Sequence, residues 1–297
     1  MIDNQDYWGG TDMVYQCLVD EQRVTAFKKA ITNSIIKDDI VVDLGSGSGI
    51  MAFFAIEAGA KRVYVFESNK TIRETLQKNL NNTKFKDKII ILGNDAISAV
   101  IHEKIDFVIC EMIATALIDE LQIPAMNNIL QFCKPTSRIL ISKIRNFAEM
   151  VFVDNNFYGH KIQVVQYEYP WEAKRKAQSI SNAYMYSEIN FNKINDGVVN
   201  TQIPFIVQFN STLNGIRLTN ETIFSDGSRM NGSAAYCMPL ILPLDEIKVQ
   251  KGQKFILDLE YQMCSGMNHL KMRLNSVDNK ENIYQKNNYK ELFEIRI

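Results

Sequence analysis

The amino-acid sequence predicts an α/β fold in its first half and a β-rich unit in its second. Short Val- and Ile-rich runs alternate with helical patterns up to about residue 145. A glycine-rich turn follows the first of these runs directly. Beyond residue 145 helical periodicity fades, and apolar runs are split by turn signals.

Residues 11–35 read as one helix, with Met13, Val14, Cys17, Leu18, Val24, Phe27 and Ile31 at helical spacing. Residues 39–44, 62–67, 88–92, 105–110 and 138–142 read as strands, and helices between most of them imply a parallel sheet. In the second half, Ile162–Val165, Pro204–Phe209, Leu240–Leu242, Phe255–Leu259 and Leu270–Leu274 read as strands. Asn195-Asp196-Gly197, Asn214-Gly215 and Asp226-Gly227 read as turns. Tyr169–Ala177 reads as a helix-like excursion, because a proline near a helix start is favourable. The expected division is an N-terminal helical segment over 1–35, a Rossmann-like domain over 36–145 and a β-barrel or sandwich-like domain over 146–297.

Basic and acidic side chains number 33 and 34, so bulk charge advertises no polyanion partner and no nucleic acid is expected. The 5 cysteines show no CxxC and no framework spacing, which points to free thiols in a reducing compartment. The sequence has no 18-residue apolar run and no visible signal peptide, so the expectation is a cytoplasmic protein that does not span a membrane. His102, His160 and His269 are scattered, and no metal site is expected. Lys174-Arg175-Lys176 reads as a solvated face, and Cys110 as a small core residue.

The run Val41-Val42-Asp43-Leu44-Gly45-Ser46-Gly47-Ser48-Gly49 is a strand end, a glycine turn and a helix start. Glycine permits positive φ and lets a ligand lie against bare backbone. Glu67 closes the next strand, where a carboxylate can chelate the two hydroxyls of a ribose. Together these make a nucleoside-binding βαβ unit. A dinucleotide fingerprint would place its third glycine one residue later, where Ile50 stands. D-L-G-S-G-S-G resembles motif I of the class I methyltransferases, and the resemblance implies S-adenosylmethionine as cofactor with Asp43, Gly45, Gly47 and Glu67 around it.

After the fourth strand, Glu111 and Glu120 flank a mostly apolar segment at a nine-residue separation. Two carboxylates turned toward one another repel, and one pKa rises unless a cation sits between them. A guanidinium suits that place, being planar, permanently charged and able to pair in bidentate fashion. In position and spacing the pair resembles the double-glutamate loop of the protein arginine methyltransferases, which implies that Glu111 and Glu120 are catalytic and clamp a substrate guanidinium. Asp20-Glu21-Gln22-Arg23 is similar to that family's D-x-x-R helix, implying that Arg23 binds the cofactor carboxylate. Tyr7-Trp8 is similar to its aromatic segment that closes over the cofactor, and Asp95 stands where such enzymes contact adenine. The excursion, about residues 166–182, lies where the family carries its dimerisation arm, so a homodimer is implied.

Some positions depart from the family pattern. Met112-Ile113-Ala114-Thr115 replaces the usual W-M-G-Y, and Leu121-Gln122 follows the second glutamate in place of Ser-Met. Ala234-Ala235-Tyr236 stands at the Thr-His-Trp loop, where Tyr236 is expected to act as an aromatic wall and Ala235 cannot replace the histidine. Tyr236 and Met112 are the candidate substrate contacts. The reading is a divergent arginine N-methyltransferase acting on arginine in a peptide or protein, on free arginine or on a related metabolite. A small-molecule methyltransferase on the same scaffold, and a catalytically silent regulatory subunit, stay open as alternatives.

Overall fold

The computed structural model describes residues 11–93, 95–172, 175–277 and 286–288. Two helices open it, α1 (Thr11–Val19) and α2 (Glu21–Ser34). The single helix expected over 11–35 is thus corrected to two. Asp20 breaks it, with φ −75 and ψ 86, because its carboxylate accepts from the Arg23 backbone N–H and so caps α2.

The first sheet is parallel. It contains β1 (Ile40–Leu44), β2 (Arg62–Phe66), β3 (Ile89–Leu92), β4 (Ile105–Cys110) and β5 (Cys133–Ile139), in the order β3-β2-β1-β4-β5. Helices α3 (Ile50–Glu57), α4 (Lys70–Asn81) and α5 (Gln122–Ile129) connect its strands. The strand order reverses between β1 and β4, so the carboxyl ends of these two strands border a crevice. The glycine turn after β1, Glu67 after β2 and Glu111 after β4 all open onto that end of the sheet.

The fifth strand is corrected from 138–142 to β5, which pairs with β4 through Ile105↔Cys133, Phe107↔Arg138 and Val108↔Ile139. Its Lys134-Pro135-Thr136-Ser137 stretch carries no apolar signal, and an edge strand tolerates proline. Only Leu140 separates β5 from β6 (Ile141–Phe152), which belongs to the second half.

That half is antiparallel, as its turn grammar predicts. A seven-stranded sheet joins β6 to β9 (Gln166–Tyr167), β10 (Gln178–Ser179), β11 (Tyr184–Asn190), β13 (Ser211–Phe224), β14 (Arg229–Met230) and β15 (Leu240–Val249). A four-stranded sheet contains β12 (Val198–Ile206), β16 (Lys254–Gln262), β17 (Lys271–Ser276) and β18 (Lys286–Asn288). A small hairpin pairs β7 (Asn156–Phe157) with β8 (His160–Lys161). Residues 162–165, expected as a strand, lie between β8 and β9.

One local reading is overturned. Asn214-Gly215 is no turn but a bulge inside β13: the fully buried Asn214 side chain bonds both the N–H and the C=O of Val153. A Cβ on Gly215 would stand 2.9 Å from the Ile241 side chain, so the residue serves close strand approach. In its described residues the Tyr169–Ala177 excursion carries tight bonds of 3-10 type, with Glu172 N–H donating to Tyr169 O and Arg175 N–H to Glu172 O. Its Tyr169 and Trp171 rings stack at 4.8 Å.

One apolar core runs through both halves. Phe27 of α2 joins them: it is fully buried, with its ring edge-on to Phe224 and Tyr236.

Candidate active site

The turn after β1 is built on backbone. Gly45 and Ser46 N–H groups both donate to Phe66 O, at 2.9 and 3.0 Å. Gly45, Gly47 and Gly49 take φ of +71, +52 and +81. At Gly49 a Cβ would meet Leu76 Cδ1 at 2.4 Å, and at Gly45 it would press on Met112 at 3.0 Å. The turn therefore requires glycine at both positions.

Glu67 is fixed from two sides, accepting from Gly47 N–H at 3.0 Å and Asn69 N–H at 2.8 Å. Asp43 is 2% exposed, and its Oδ2 is buried with no hydrogen-bond partner among the described residues. Burial pushes its carboxyl up to about 7; a hydrogen bond from Ser46 opposes this, and the Glu67 and Glu111 charges add to it.

Arg23 lies in the first turn of α2, 5% exposed. One terminal nitrogen donates to Cys17 O at 3.1 Å and the other pairs with Glu111, while Nε is buried with no partner among the described residues. Burial works against its charge, but the Glu111 carboxylate outweighs this and holds the guanidinium above its usual pKa.

The loop from Glu111 to Leu121 is held in a costly shape. Ala116, Leu117 and Glu120 take φ of +58, +54 and +56. Each left-handed non-glycine residue costs about 1 kcal/mol or more, so the shape persists only where surroundings enforce it. They do so here from two directions. The fully buried Gln122 donates to Cys110 O at 3.0 Å and accepts from Met112 N–H at 2.9 Å. From the second half, Asn220 accepts from Ala116 N–H, the Tyr261 hydroxyl donates to Ala116 O, and Thr115 donates to Met238 O. Cys264 and Gly266 N–H groups donate to Leu117 O and Ile118 O.

Glu120 emerges from this loop half-buried. Burial, then the charges of Glu111 and Asp119, push it up to about 8, against a smaller lowering by Arg23. Glu111, Glu120 and Arg23 therefore share one electrostatic environment at the carboxyl end of β4.

A family model described as ribosomal protein L11 methyltransferase (PrmA) matches residues 26–176. The chain belongs to this methyltransferase family. S-adenosylmethionine is its cofactor. An uncharacterized protein of Methanocaldococcus jannaschii is 31% identical over 264 residues, 88% of this chain and 95% of that one. The histone-arginine methyltransferase CARMER of Anopheles gambiae is 26% identical over 139 residues, 46% of this chain and 22% of that protein, so the match spans about a fifth of CARMER. Among solved structures, the Trypanosoma brucei PRMT1 enzyme-prozyme complex with AdoHcy superposes with a TM-score of 0.78 at 15% identity, covering 96% of this chain and 98% of that chain. Arabidopsis thaliana protein arginine methyltransferase 10 gives 0.72 at 16% identity, with 92% and 95% coverage. These structures share the fold, a parallel methyltransferase sheet followed by an antiparallel unit. The protein is a divergent methyltransferase resembling the arginine methyltransferases.

The residues that could hold this cofactor are the positive-φ glycine turn, the fixed Glu67 carboxylate after β2, and the buried Arg23 Nε and Asp43 Oδ2, which have no partner among the described residues. Arg23, Asp43, Gly45, Gly47, Glu67, Glu111, Met112 and Glu120 all gather at this end of the sheet. Asp95 sits at the carboxyl end of β3, capping a short 3-10 turn through Ile97 N–H. Tyr7 and Trp8 lie outside the described residues.

Tyr236 is a correction. It is 2% exposed, packed edge-on to Phe27, with its hydroxyl on Thr222 at 2.6 Å, so it belongs to the core and presents no open aromatic wall. Beside it, Ala235 N–H and the Ser233 hydroxyl both donate to Asp20. Burial works against the Asp20 charge, but these bonds and the Arg23 N–H outweigh it and hold the carboxyl below its ordinary pKa. The backbone of the Ala235 segment thus secures the start of α2, and with it Arg23. Sequence reasoning did not assign this job to Asp20; an acid three residues before Arg23 was the available signal. Nor did it foresee Gln122, Asn220 and Tyr261 as braces, since their partners are distant in sequence or are main-chain groups.

Among the described residues, no group of three or more His, Cys, Asp or Glu is placed to hold a metal ion. No described helix is long and apolar enough to cross a membrane. Burial pushes the Cys17 and Cys264 thiols up to about 11, which leaves both protonated at neutral pH.

The Gln122 brace gives a direct test. Gln122→Leu leaves Cys110 O and Met112 N–H buried without partners, and is expected to lower unfolding free energy by about 2–4 kcal/mol. Denaturant unfolding with an unchanged m-value would register this; a loss under about 1 kcal/mol in that assay would mean the loop holds itself.

Proposed function

We propose that the protein methylates a guanidino nitrogen of arginine, presented in a peptide or protein, as free arginine or in a related small guanidino compound. The observation that carries this is the pairing of Glu111 and Glu120 across one strained loop at the carboxyl end of β4, with Glu120 short of a cation. Bound S-adenosylmethionine supplies an electrophilic methyl group there. Arg23 Nε is the donor suited to the cofactor carboxylate, and Glu67 the acceptor suited to its ribose. Glu111 and Glu120 orient the flat cation and draw its charge away from the nitrogen that reacts. Fixing two reactants in this way can supply on the order of 7 kcal/mol of the barrier. Glu120, which holds a proton readily, is suited to accept the proton released by the methylated nitrogen.

The domain division follows the chain's passage between sheets at Leu140, in keeping with a cofactor-binding unit over 36–145 and a substrate unit over 146–297. We assign the excursion near 166–182 to homodimer contact, supported by the exposed Trp171 stacked on Tyr169. The free cysteines are in keeping with a reducing, cytoplasmic setting.

Incubation with methyl-labelled cofactor and separate samples of arginine, arginine peptides and matched lysine peptides tests the reading. The expected product carries one added methyl on the guanidino group, located by fragmentation mass spectrometry. A protein that binds cofactor normally but labels only non-guanidino acceptors refutes it.

A further inference from the structure

Two hydrogen-bond chains meet at Ala116, and both lead to β11. In the first, Ala116 N–H donates to Asn220 Oδ1 at 2.8 Å, Asn220 Nδ2 to Asn146 Oδ1 at 3.0 Å, and Asn146 Nδ2 to the Ser187 hydroxyl at 2.7 Å. Asn220, Asn146 and Ser187 stand directly opposite one another on β13, β6 and β11, so the row follows from strand register. In the second, the Tyr261 hydroxyl donates to Ala116 O and lies 2.9 Å from the Tyr186 hydroxyl. A phenol has one proton, and Tyr261 gives its own to Ala116, so Tyr186 is the donor to Tyr261. Burial raises both phenols above their ordinary pKa and keeps them protonated at neutral pH.

Tyr186 and Ser187 are neighbours in the chain, and in a regular strand they would point to opposite faces. The strand is not regular there. Met185 and Ser187 oppose the consecutive residues Phe147 and Asn146, which leaves Tyr186 as the extra residue of a bulge. Both polar groups therefore reach chains that end on one residue. That residue, Ala116, is the first left-handed position between Glu111 and Glu120. Every donor points in the same sense, from Tyr186 through Ala116 to Ser187. Asn146 Oδ1 keeps the Asn220 amide with its oxygen toward Ala116; turned over, that amide would set its own N–H groups against the Ala116 N–H. The Tyr186 proton likewise directs the Tyr261 proton onto Ala116 O. Asn146, Asn220 and Tyr261 are buried, so water does not replace a lost link.

We propose that Tyr186 and Ser187 are positioning residues for methyl transfer, which fix Ala116 in its left-handed turn and with it the placing of the Glu111 and Glu120 carboxylates against the acceptor. The inference rests on the guanidinium reading and deepens it. It makes turnover of the acceptor depend on a strand that belongs to the second half of the chain.

Steady-state kinetics on the intact protein, with free arginine and an arginine peptide as acceptors, test this together with amide hydrogen exchange. Tyr186→Phe combined with Ser187→Ala is expected to lower acceptor kcat by about tenfold or more, because small misplacements of reacting groups cost large factors in rate. The KM for S-adenosylmethionine should stay within about twofold. Exchange at Ala116 and Leu117 should quicken by about tenfold, with the turn from Gly45 to Gly49 unchanged. Ser187→Thr keeps the hydroxyl and should keep the wild-type kcat. Ala116→Gly supplies a residue that enters the left-handed region unaided, so adding it to the double variant should restore kcat by about threefold or more. A pair that only stabilises the second half would lower Tm without that recovery. Wild-type kcat in the double variant, or a loss that Ala116→Gly does not relieve, overturns the proposal. Should the double variant fail to fold, Tyr186→Phe alone, which removes a single oxygen, carries the same comparison with and without Ala116→Gly. If the wild type methylates neither arginine acceptor yet binds S-adenosylhomocysteine, the guanidinium reading falls, and exchange then decides the role of β11: unchanged exchange at Ala116 overturns it, and faster exchange upholds its hold on the loop.

Discussion

Glu120→Gln is expected to reduce methyl transfer to a guanidino acceptor by about a thousandfold, while cofactor affinity stays within about threefold. Removing one buried, charge-developing contact typically costs 10²–10³ in rate, on the order of 3–4 kcal/mol. Glu120 also supplies a signature that a structural residue would not. Its carboxyl is pushed up to about 8, so the cation-free protein carries a proton there at neutral pH. Only the ionised form pairs with a guanidinium. Acceptor binding in the wild type should therefore strengthen as pH rises toward 8 and level off above it, with proton release detected as a buffer-dependent calorimetric enthalpy. The Gln variant should show no such rise.

Stability responds in the opposite direction. The folded protein holds the Glu120 proton between the ordinary value of 4.5 and about 8, where the unfolded chain has lost it. The folded state binds more protons in that window, so stability is full below it and falls as pH rises through it. Asp43 adds a similar fall between 3.8 and about 7. Glu120→Gln removes the first contribution, and its Tm relative to wild type should climb between pH 5 and 8. A Tm difference independent of pH would show that Glu120 is not half-buried as described.

Arg23→Met is expected to be the more damaging to the folded protein itself. It strands the Glu111 carboxylate, 13% exposed at its side chain, without its cation. Breaking one side of a buried ion pair costs about 3–5 kcal/mol, because the remaining charge is desolvated and unpaired. Cofactor affinity should fall at least tenfold, since the donor suited to its carboxylate is gone. Pairing Arg23→Met with Glu111→Gln removes the stranded charge, and the double variant should recover most of the stability but none of the cofactor affinity. That split separates the two jobs of one guanidinium. Wild-type cofactor affinity in Arg23→Met would remove Arg23 from the cofactor site altogether.

The parallel sheet was legible because a strand buried on both faces reads as a mostly apolar run: β1 (IVVDL) and β4 (IDFVIC) are each apolar but for one aspartate. The glycine turn was legible because backbone conformation there admits little else. Asp20 misled, since seven apolar residues at helical spacing across 11–35 hid a capping acid between them. The fifth strand was displaced because proline and polar residues occupy an edge. Asn214-Gly215 carried a turn signature that the buried amide of Asn214 overrode by bonding Val153. At the site, residue types and their spacing pointed to Glu111 and Glu120, but the left-handed backbone of Ala116 and Leu117 has no local signature. It is imposed by Asn220, Tyr261, Cys264 and Gly266, whose proximity is a product of the tertiary fold.

That remote bracing divides the molecule's evolutionary freedom. Most of the candidate cofactor contacts, Arg23, Asp43, Gly45, Gly47 and Glu67, arise within the first 70 residues, whereas the left-handed turn at Ala116 is held in part by atoms more than 100 residues downstream. Substitution at 220, 261 or 264 is expected to alter the loop between Glu111 and Glu120 while leaving the glycine turn after β1 untouched. Divergence of substrate on a constant donor-binding frame needs no change in the carboxylates themselves.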